Sequence, residues 1–262
     1  MNKKYLAPSV KKAFDILKVI SLSRGGMRLN EIAKALDIAK STVHGIISIL
    51  EDIGAVRKDE SSRRYELGLT LFELGRKAYY QIDLREIARP VMEDLMERVQ
   101  ETVFLGTLSG DNEAILVLDV VECSHDMKIT SPIGTTLSLF AAAPGKAIMS
   151  SMNEETVMEI IKRKGLPRHT DKSITDPDLF MEEIKKVREN GFAMDFEEYM
   201  PGVRAVAAPI NLEDQKLAAI YIVGFKKSLD DNKMDLIKTE IINAADLIYR
   251  RSIEYMHKQD RD

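Results

Sequence analysis

The stretch AKSTVHGIISILEDIGAVRKDESSRRYEL, residues 39–67, decides how the N-terminal part of this chain folds. Its first half predicts a helix over 39–52. Val43, Ile46, Ile47 and Leu50 recur at helical spacing and form an apolar inner face. The opposite face carries Lys40, Ser41, Thr42, His44, Gly45 and Ser48. Gly54 stops the helix. Beyond it, 55–58 and 63–67 flank a polar turn at 59–62 and read as a two-stranded hairpin.

Upstream, 8–21 predicts a helix with Val10, Phe14 and Leu17 at i, i+4 and i+7, and Ala13 and Ile20 beside that stripe. Arg24-Gly25-Gly26 ends it. Asn30 suits the N-cap of a short helix over 31–36, with Ile32, Ala33 and Leu36 apolar and a tight turn at Asp37-Ile38. Three helices and a hairpin are the plan of a winged helix-turn-helix. A DNA-reading helix needs an apolar face to hold it on its domain. It also needs small and polar groups outward near its N-terminus, so that it can approach the major groove. Ser41, Thr42 and His44 are hydrogen-bonding groups of that kind, and Lys40 suits a phosphate. Arg57, Lys58, Arg63 and Arg64 place four cations on the hairpin, where they can straddle a backbone or enter the minor groove. The same residues would also make a solvated helix face and a charged hairpin; the pattern favours DNA.

The whole chain has 262 residues, is 45% hydrophobic and 31% charged, and has a formal net charge of −4. Length bounds it to one or two domains, and near-average composition excludes disorder and collagen-like structure. No apolar run is long enough to span a membrane, and the start, MNKKYLAPSVKKAF, is no secretory signal. The one cysteine, Cys123, cannot form an intrachain disulfide and suits a reducing cytoplasm. The net charge hides a split. Residues 1–66 hold thirteen Lys and Arg against eight Asp and Glu, a net of +5, which leaves −9 for the remainder. A basic head on an acidic body fits a nucleic-acid module joined to a partner domain.

Downstream, 69–80 reads as helix with Leu71, Phe72, Leu74 and Ala78 apolar, and 84–101 as a second. From 102 the pattern alternates. Strands are expected at 102–108, 114–121 and 128–130, helices at 144–151, 154–164 and 178–190, strands again at 192–195, 203–209 and 217–224, and a closing helix at 233–257. The fold expected is multi-domain: a mainly α winged helix-turn-helix, then an α+β domain with an antiparallel sheet.

Several stretches together resemble one family. They are LNEIA at 29–33, KSTVH at 40–44, LEDIG at 50–54, YELG at 65–68, RPVM at 89–92, ETV at 101–103, PIG at 132–134, GKA at 145–147, VRENGF at 187–192, EE at 197–198 and GVRAVAAP at 202–209. Their order and spacing are similar to those of the IclR transcriptional regulators, over residues 8–250. The resemblance implies a DNA-binding domain over 1–68, a linker helix over 69–83 that shares in the dimer contact, and a GAF-like effector domain over 84–262. It implies a homodimer or homotetramer on a pseudo-palindromic double-stranded DNA operator, answering to a small organic acid, with no cofactor, metal or catalytic residue and no membrane partner. In the family the position after His44 is usually Arg; here it is Gly45. That exchange costs helix stability and removes a DNA contact. It leaves three readings open: a changed operator, a closer backbone approach, or a sensor that has lost operator recognition.

Residues 141–146, AAAPGK, lead small residues into a helix that Pro144 can start. Free N–H groups and the helix dipole there suit a carboxylate, although small residues also make a packed junction. The resemblance shifts that balance and implies an effector pocket of Ile129, Ala143, Pro144, Asp195, Ala205, Tyr221 and Val223. Where oxo-acid binders of the family carry Cys or Ser, this chain has Ala205, Tyr221 and Val223, so a larger or more apolar ligand such as an aromatic acid is expected. Asp195 would accept from a ligand hydroxyl or bond backbone N–H groups. Glu122, Cys123, His125 and Asp126 group metal-ligating types, but Cys123 and His125 two apart match no zinc spacing. No hydrolase or transferase motif is present; an enzyme acting on a small acid is the remote alternative.

Overall fold

The computed structural model of the chain describes residues 7–23, 25–80, 83–110, 112–212 and 217–259. Two compact units divide it, Met1–Ile82 and Asp83–Asp262. Among the described residues no helix is long and apolar enough to cross a membrane.

The first unit runs α1 (Pro8–Ser21), α2 (Leu29–Leu36), α3 (Lys40–Asp52), β1 (Val56–Asp59), β2 (Arg64–Leu67) and α4 (Leu69–Tyr80), with β1 and β2 antiparallel. Val43, Ile47 and Leu50 hold α3 on a core shared with Ile16, Ile20, Ile32, Val56 and Tyr65. On α1 the buried face differs from the expected stripe. Ile16 and Ile20 are buried, flanked by half-buried Ala13 and Leu17, whereas Val10 is 56% and Phe14 61% exposed. Both stripes have helical periodicity; contact with α2 and α3 selects the one centred on Ile16 and Ile20. α2 also starts earlier than expected. Arg28 is its N-cap, and the Glu31 carboxylate accepts the Arg28 N–H at 2.9 Å. A reaching acid therefore does the capping, and Asn30 lies inside the first turn. On α4, Leu71 is half-buried, and Phe72 and Leu74 are exposed; the Ala78 side chain lies outside the described residues.

The second unit runs α5 (Asp83–Val99), β3 (Thr102–Leu108), β4 (Ala114–Val121), β5 (Thr136–Ser138), α6 (Ala142–Ser150), α7 (Glu154–Lys164), α8 (Pro177–Asn190), β6 (Ala193–Phe196), β7 (Val203–Asn211), β8 (Leu217–Phe225) and α9 (Asp231–Gln259). Its antiparallel sheet has the order β5-β4-β3-β8-β7-β6. Helices α5 and α9 cover one face, and α6, backed by α8, covers the other. The alternation explains both covers. Ile220 and Ile222 are buried on one side of β8, Ala219 and Tyr221 on the other. Two expectations are corrected. Residues 128–130 form no strand; the edge strand is β5, where Thr136, Leu137 and Ser138 pair with Leu116, Ile115 and Ala114. The apolar pair Ile129-Thr130 carries β propensity, but the partner edge of β4 is taken by β5. And α6 begins at Ala142, so Pro144 sits third in the helix rather than first, still in the turn whose N–H groups have no helical partner.

Two glycines separate steric need from tolerance. A Cβ on Gly145 would overlap the Leu139 carbonyl oxygen, so only glycine lets α6 lie this close to the strand-to-helix junction. A Cβ on Gly45 meets nothing within 4 Å. Gly145→Ala is expected to destabilise the second unit by about 1–3 kcal/mol or more, as overpacking against backbone does. Gly45→Ala should instead stabilise the first unit by about 0.5–1 kcal/mol. Denaturant unfolding of both variants checks the pair.

Candidate functional site

The outward face of α3 is assembled as the sequence predicts. Lys40, Ser41, His44, Gly45 and Ser48 are exposed and Thr42 is half-buried at the edge of the apolar face. Ala39 gives the helix no side-chain cap, and no acid stands in its first turn. The first N–H groups and the positive end of the dipole are thus left for a phosphate, with Lys40 beside them.

The hairpin cations are not free. Arg57 pairs with Glu66 at 2.5 Å, Lys58 with Glu60 at 3.5 Å, and Arg63 with Glu60 at 3.4 Å. Exposed pairs of this kind contribute about 0–1 kcal/mol, so exchange of the carboxylate for a phosphate is inexpensive. Arg64 differs. Its guanidinium donates to the Gly26 carbonyl at 2.8 Å and pairs with Glu31 at 3.3 Å, which ties β2 to the loop before α2. It positions the hairpin. The turn itself is stapled by Asp59, whose carboxylate accepts from the backbone and hydroxyls of Ser61 and Ser62; those hydrogen bonds pull its pKa down to about 2.

In the second unit, the expected effector residues split. Ala143, Ala205 and Tyr221 share one buried cluster with Phe104, and Val223 packs against it. The Tyr221 ring stacks on Phe104 at 5.1 Å between centroids and lies over Gly106, where a Cβ would come within 3.1 Å of it. Across the sheet its register partner on β7 is Ala207, and Ala205 pairs with Val223. Small residues on β3, β7 and α6 make room for the two rings. The Tyr221 hydroxyl is buried without a hydrogen-bond partner among the described residues, and burial pushes its pKa upward. Pro144 is buried in the first turn of α6. Ile129 is half-buried between β4 and β5, apart from the cluster.

Asp195 is buried and accepts the Glu198 N–H at 2.6 Å. Of its two expected roles, the backbone-bonding one is what the geometry holds. Burial raises its pKa to about 6, against the lowering effect of that hydrogen bond and of the Lys146 ammonium. Lys146 is the residue that sequence reasoning missed. It is 1% exposed, and its ammonium donates to Glu198 at 2.7 Å and to the Met194 carbonyl at 3.1 Å. A lysine inside the run AAAPGKAIM was the available signal. A cleft of about 20 Å³, room for about one water, opens beside this group between Ala142, Phe140, His169, Ser173 and Glu198. The backbone before α6 is strained there, with Ala142 at φ +31°.

Comparison with known proteins agrees with both units. The profile described as "Bacterial transcriptional regulator IclR C-terminal" matches residues 76–250, and "IclR helix-turn-helix domain" matches 9–60. The chain is 34% identical to the HTH-type transcriptional regulator BhcR of Paracoccus denitrificans, over 89% of this chain and 83% of that one. It is 29% identical to the transcriptional repressor IclR of Escherichia coli, over 90% and 87%. An IclR-type regulator from Alicyclobacillus acidocaldarius superposes with a TM-score of 0.81 at 25% identity, covering 95% of this chain and 100% of that one. A homologue from Microbacterium hydrocarbonoxydans, crystallised with 4-hydroxybenzoate, has the same fold, with a TM-score of 0.76 at 20% identity over 94% and 99%.

The raised pKa of Asp195 has a sign that can be tested. An acid with a higher pKa in the folded state than in the unfolded chain favours folding less as pH rises between the two values. From about pH 4 to about pH 6 this group should therefore withdraw up to about 3 kcal/mol of stability, at 1.36 kcal/mol per unit. Asp195→Asn keeps an acceptor for the Glu198 N–H and cannot ionise. The difference in unfolding free energy between Asp195→Asn and the wild type should shift in the variant's favour over that range. A pH-independent difference would sink the assignment.

Proposed function

Because the chain belongs to the IclR family of bacterial transcriptional regulators, we propose how its own residues divide the work of a ligand-responsive DNA-binding regulator. The α3 face enters the major groove. Ser41, Thr42, His44 and Ser48 meet base edges, while Lys40 and the uncapped N-terminus of α3 hold a phosphate. Arg57, Lys58 and Arg63 leave their carboxylate partners for the backbone, and Arg64 holds the hairpin in place. The observation that carries this reading is the uncapped, acid-free start of α3 beside exposed Lys40, Ser41 and His44. One helix reads few base pairs, so a dimer or tetramer on a pseudo-palindromic operator supplies the specificity. α4, within the linker stretch 69–83, sets the spacing of the two readers. The protein works by binding rather than catalysis, in the cytoplasm where its operator lies.

The effector is a small organic acid. Its carboxylate meets the first turn of α6 at Ala143 and Pro144, and its body meets Ala205, Tyr221, Val223 and Ile129. A buried tyrosine hydroxyl without a partner supports a ligand that can bond it, and the apolar lining supports an aromatic acid. The fold can hold such a compound, as the 4-hydroxybenzoate complex of the M. hydrocarbonoxydans homologue illustrates. A ligand acts only by preferring one arrangement of the oligomer.

Two expected outcomes test this reading. In gel shifts with the DNA upstream of its own gene, Arg57→Ala with Arg63→Ala should weaken binding to all sequences alike. It should also reduce the log–log salt slope by about 2, one unit per lost phosphate contact. Thr42→Ala should instead change base preference; if neither variant alters binding, the α3 and hairpin assignments are wrong. In thermal-shift assays, 4-hydroxybenzoate should raise the melting temperature more than pyruvate or glyoxylate. Tyr221→Phe should narrow that gap while stabilising the unliganded protein by about 1 kcal/mol, because a buried unpaired hydroxyl is removed. Stabilisation by the oxo acids alone would rule out the aromatic-acid reading.

A further inference from the structure

The strand pairing of the second unit brings together donors that the sequence separates. β3 and β4 run antiparallel with Val103 opposite Val121. Continued two residues further, that ladder sets Glu101 beside Cys123, and His125 follows after one residue. One donor atom from each of Glu101, Cys123 and His125 lies within 4.8 Å of the other two. We propose that these three residues bind a borderline-soft divalent cation, of which Zn²⁺ is the type.

The chemistry of the donor set selects the cation class. A thiolate, an imidazole and a carboxylate suit Zn²⁺ or Co²⁺, not Mg²⁺ or Ca²⁺, which take oxygen ligands. Bond lengths of about 2.0–2.3 Å in a tetrahedral arrangement put ligand atoms about 3.3–3.8 Å apart. The present spread closes by a small swing of His125, which is exposed and able to move.

The other two donors are already oriented by neighbours, as metal ligands require. Glu101 is buried; its Oε1 accepts from the Lys233 ammonium at 2.6 Å and from the Ser228 hydroxyl. That leaves Oε2, which lies in the niche made by Gly224, where a Cβ would come within 2.7 Å of it. Cys123 is buried, and the Thr102 hydroxyl donates to its sulfur at 3.6 Å. The Lys233 ammonium is an opposing charge for an incoming cation, partly offset by the negative charge that a thiolate adds. Lys128, which bonds the Cys123 carbonyl and pairs with Glu122, is the other cation near this strand end. Three protein donors leave a fourth position for water or a small thiol. Through Lys233 and Ser228 the site also touches the first turn of α9 and the loop before it, so a bound cation links β3, β4 and that helix.

Metal-free full-length protein titrated with Co²⁺ reads the site directly. The wild type should bind one equivalent, with a thiolate-to-cobalt charge-transfer band and visible bands of four-coordinate intensity, both abolished by stoichiometric Zn²⁺. Cys123→Ser should lose the charge-transfer band. His125→Ala, a change at an exposed side chain that leaves the fold intact, should weaken binding at least tenfold. His169→Ala, at an exposed histidine outside the cluster, should bind as the wild type does. Zn²⁺ should raise the melting temperature of the wild type and not of His125→Ala. Absence of a charge-transfer band at excess Co²⁺ would overturn the proposal. So would unchanged binding by His125→Ala, or loss of the signal in His169→Ala.

Discussion

The sensor half is organised around one buried ammonium. Lys146 sits in a helix whose residues are all buried, and a lone lysine there would carry a large desolvation cost. Its charge is met by Glu198 at 2.7 Å, by the Met194 carbonyl at 3.1 Å and, more distantly, by Glu183 at 3.9 Å. Those three partners lie on β6, the loop after it, and α8. A single requirement, neutralising Lys146, therefore pulls three elements onto α6. The loop that delivers Glu198 is held in turn. Thr170 donates to the Glu197 and Glu198 carbonyls, and Ser173 to the latter. Glu197 takes a positive φ of 70° while pairing with Lys172 and Lys226. Asp195 beneath is the counterpart of this arrangement. Glu198 has the nearer claim on Lys146, and burial makes a second carboxylate costly, which is why Asp195 is pushed toward neutrality.

In the reader half, the same electrostatics are arranged for exchange. The cations at Arg57, Lys58 and Arg63 carry intramolecular carboxylate partners at the surface, where water and salt screen each pair. The hairpin is thus close to neutral until a phosphate backbone competes. Together with the −9 of the remaining chain, this opposes indiscriminate coating of DNA and places discrimination on α3. Gly45 sharpens the point. The domain needs no glycine there for packing, since open space surrounds it. Its cost in helix stability is unexplained by the protein's own fold, so the explanation lies on the side that faces outward.

The elements whose residues obey one strong local rule are legible in the sequence. α3 reads correctly because Val43, Ile47 and Leu50 leave only one apolar face. α1 offers two stripes of equal periodicity, and only packing against α2 and α3 chooses Ile16 and Ile20 over Val10 and Phe14. β5 is three residues long, too short for an alternation to show, and a non-strand stretch at 128–130 has the stronger β composition. Capping of α2 by Glu31 was hidden because the acid reaches back three residues past a better-looking Asn30. For the sites, the exposed groups of α3 follow from its apolar face. The Lys146–Glu198 pair, separated by 52 positions, and the Glu101–Cys123 approach, separated by 22, depend on tertiary and strand pairing that no local window contains.

The small residues that look like a ligand junction in the sequence have a second meaning in the fold. Ala143 and Ala147 on α6, Ala205 and Ala207 on β7, and Ala219 on β8 all join the cluster that contains Phe104 and Tyr221. Close packing conserves volume, so alanines opposite aromatic rings are one solution to a fixed space. The rings fill what the alanines vacate. Ligand shape is then set by which of the two yields. A flat acid can replace part of the Phe104–Tyr221 stack with its own ring and bond the unpaired tyrosine hydroxyl, whereas a two-carbon oxo acid supplies neither the area nor the stacking partner. The polarity of this chamber follows from its alanines and valine, and so does the preference for an aromatic ligand over a small polar one.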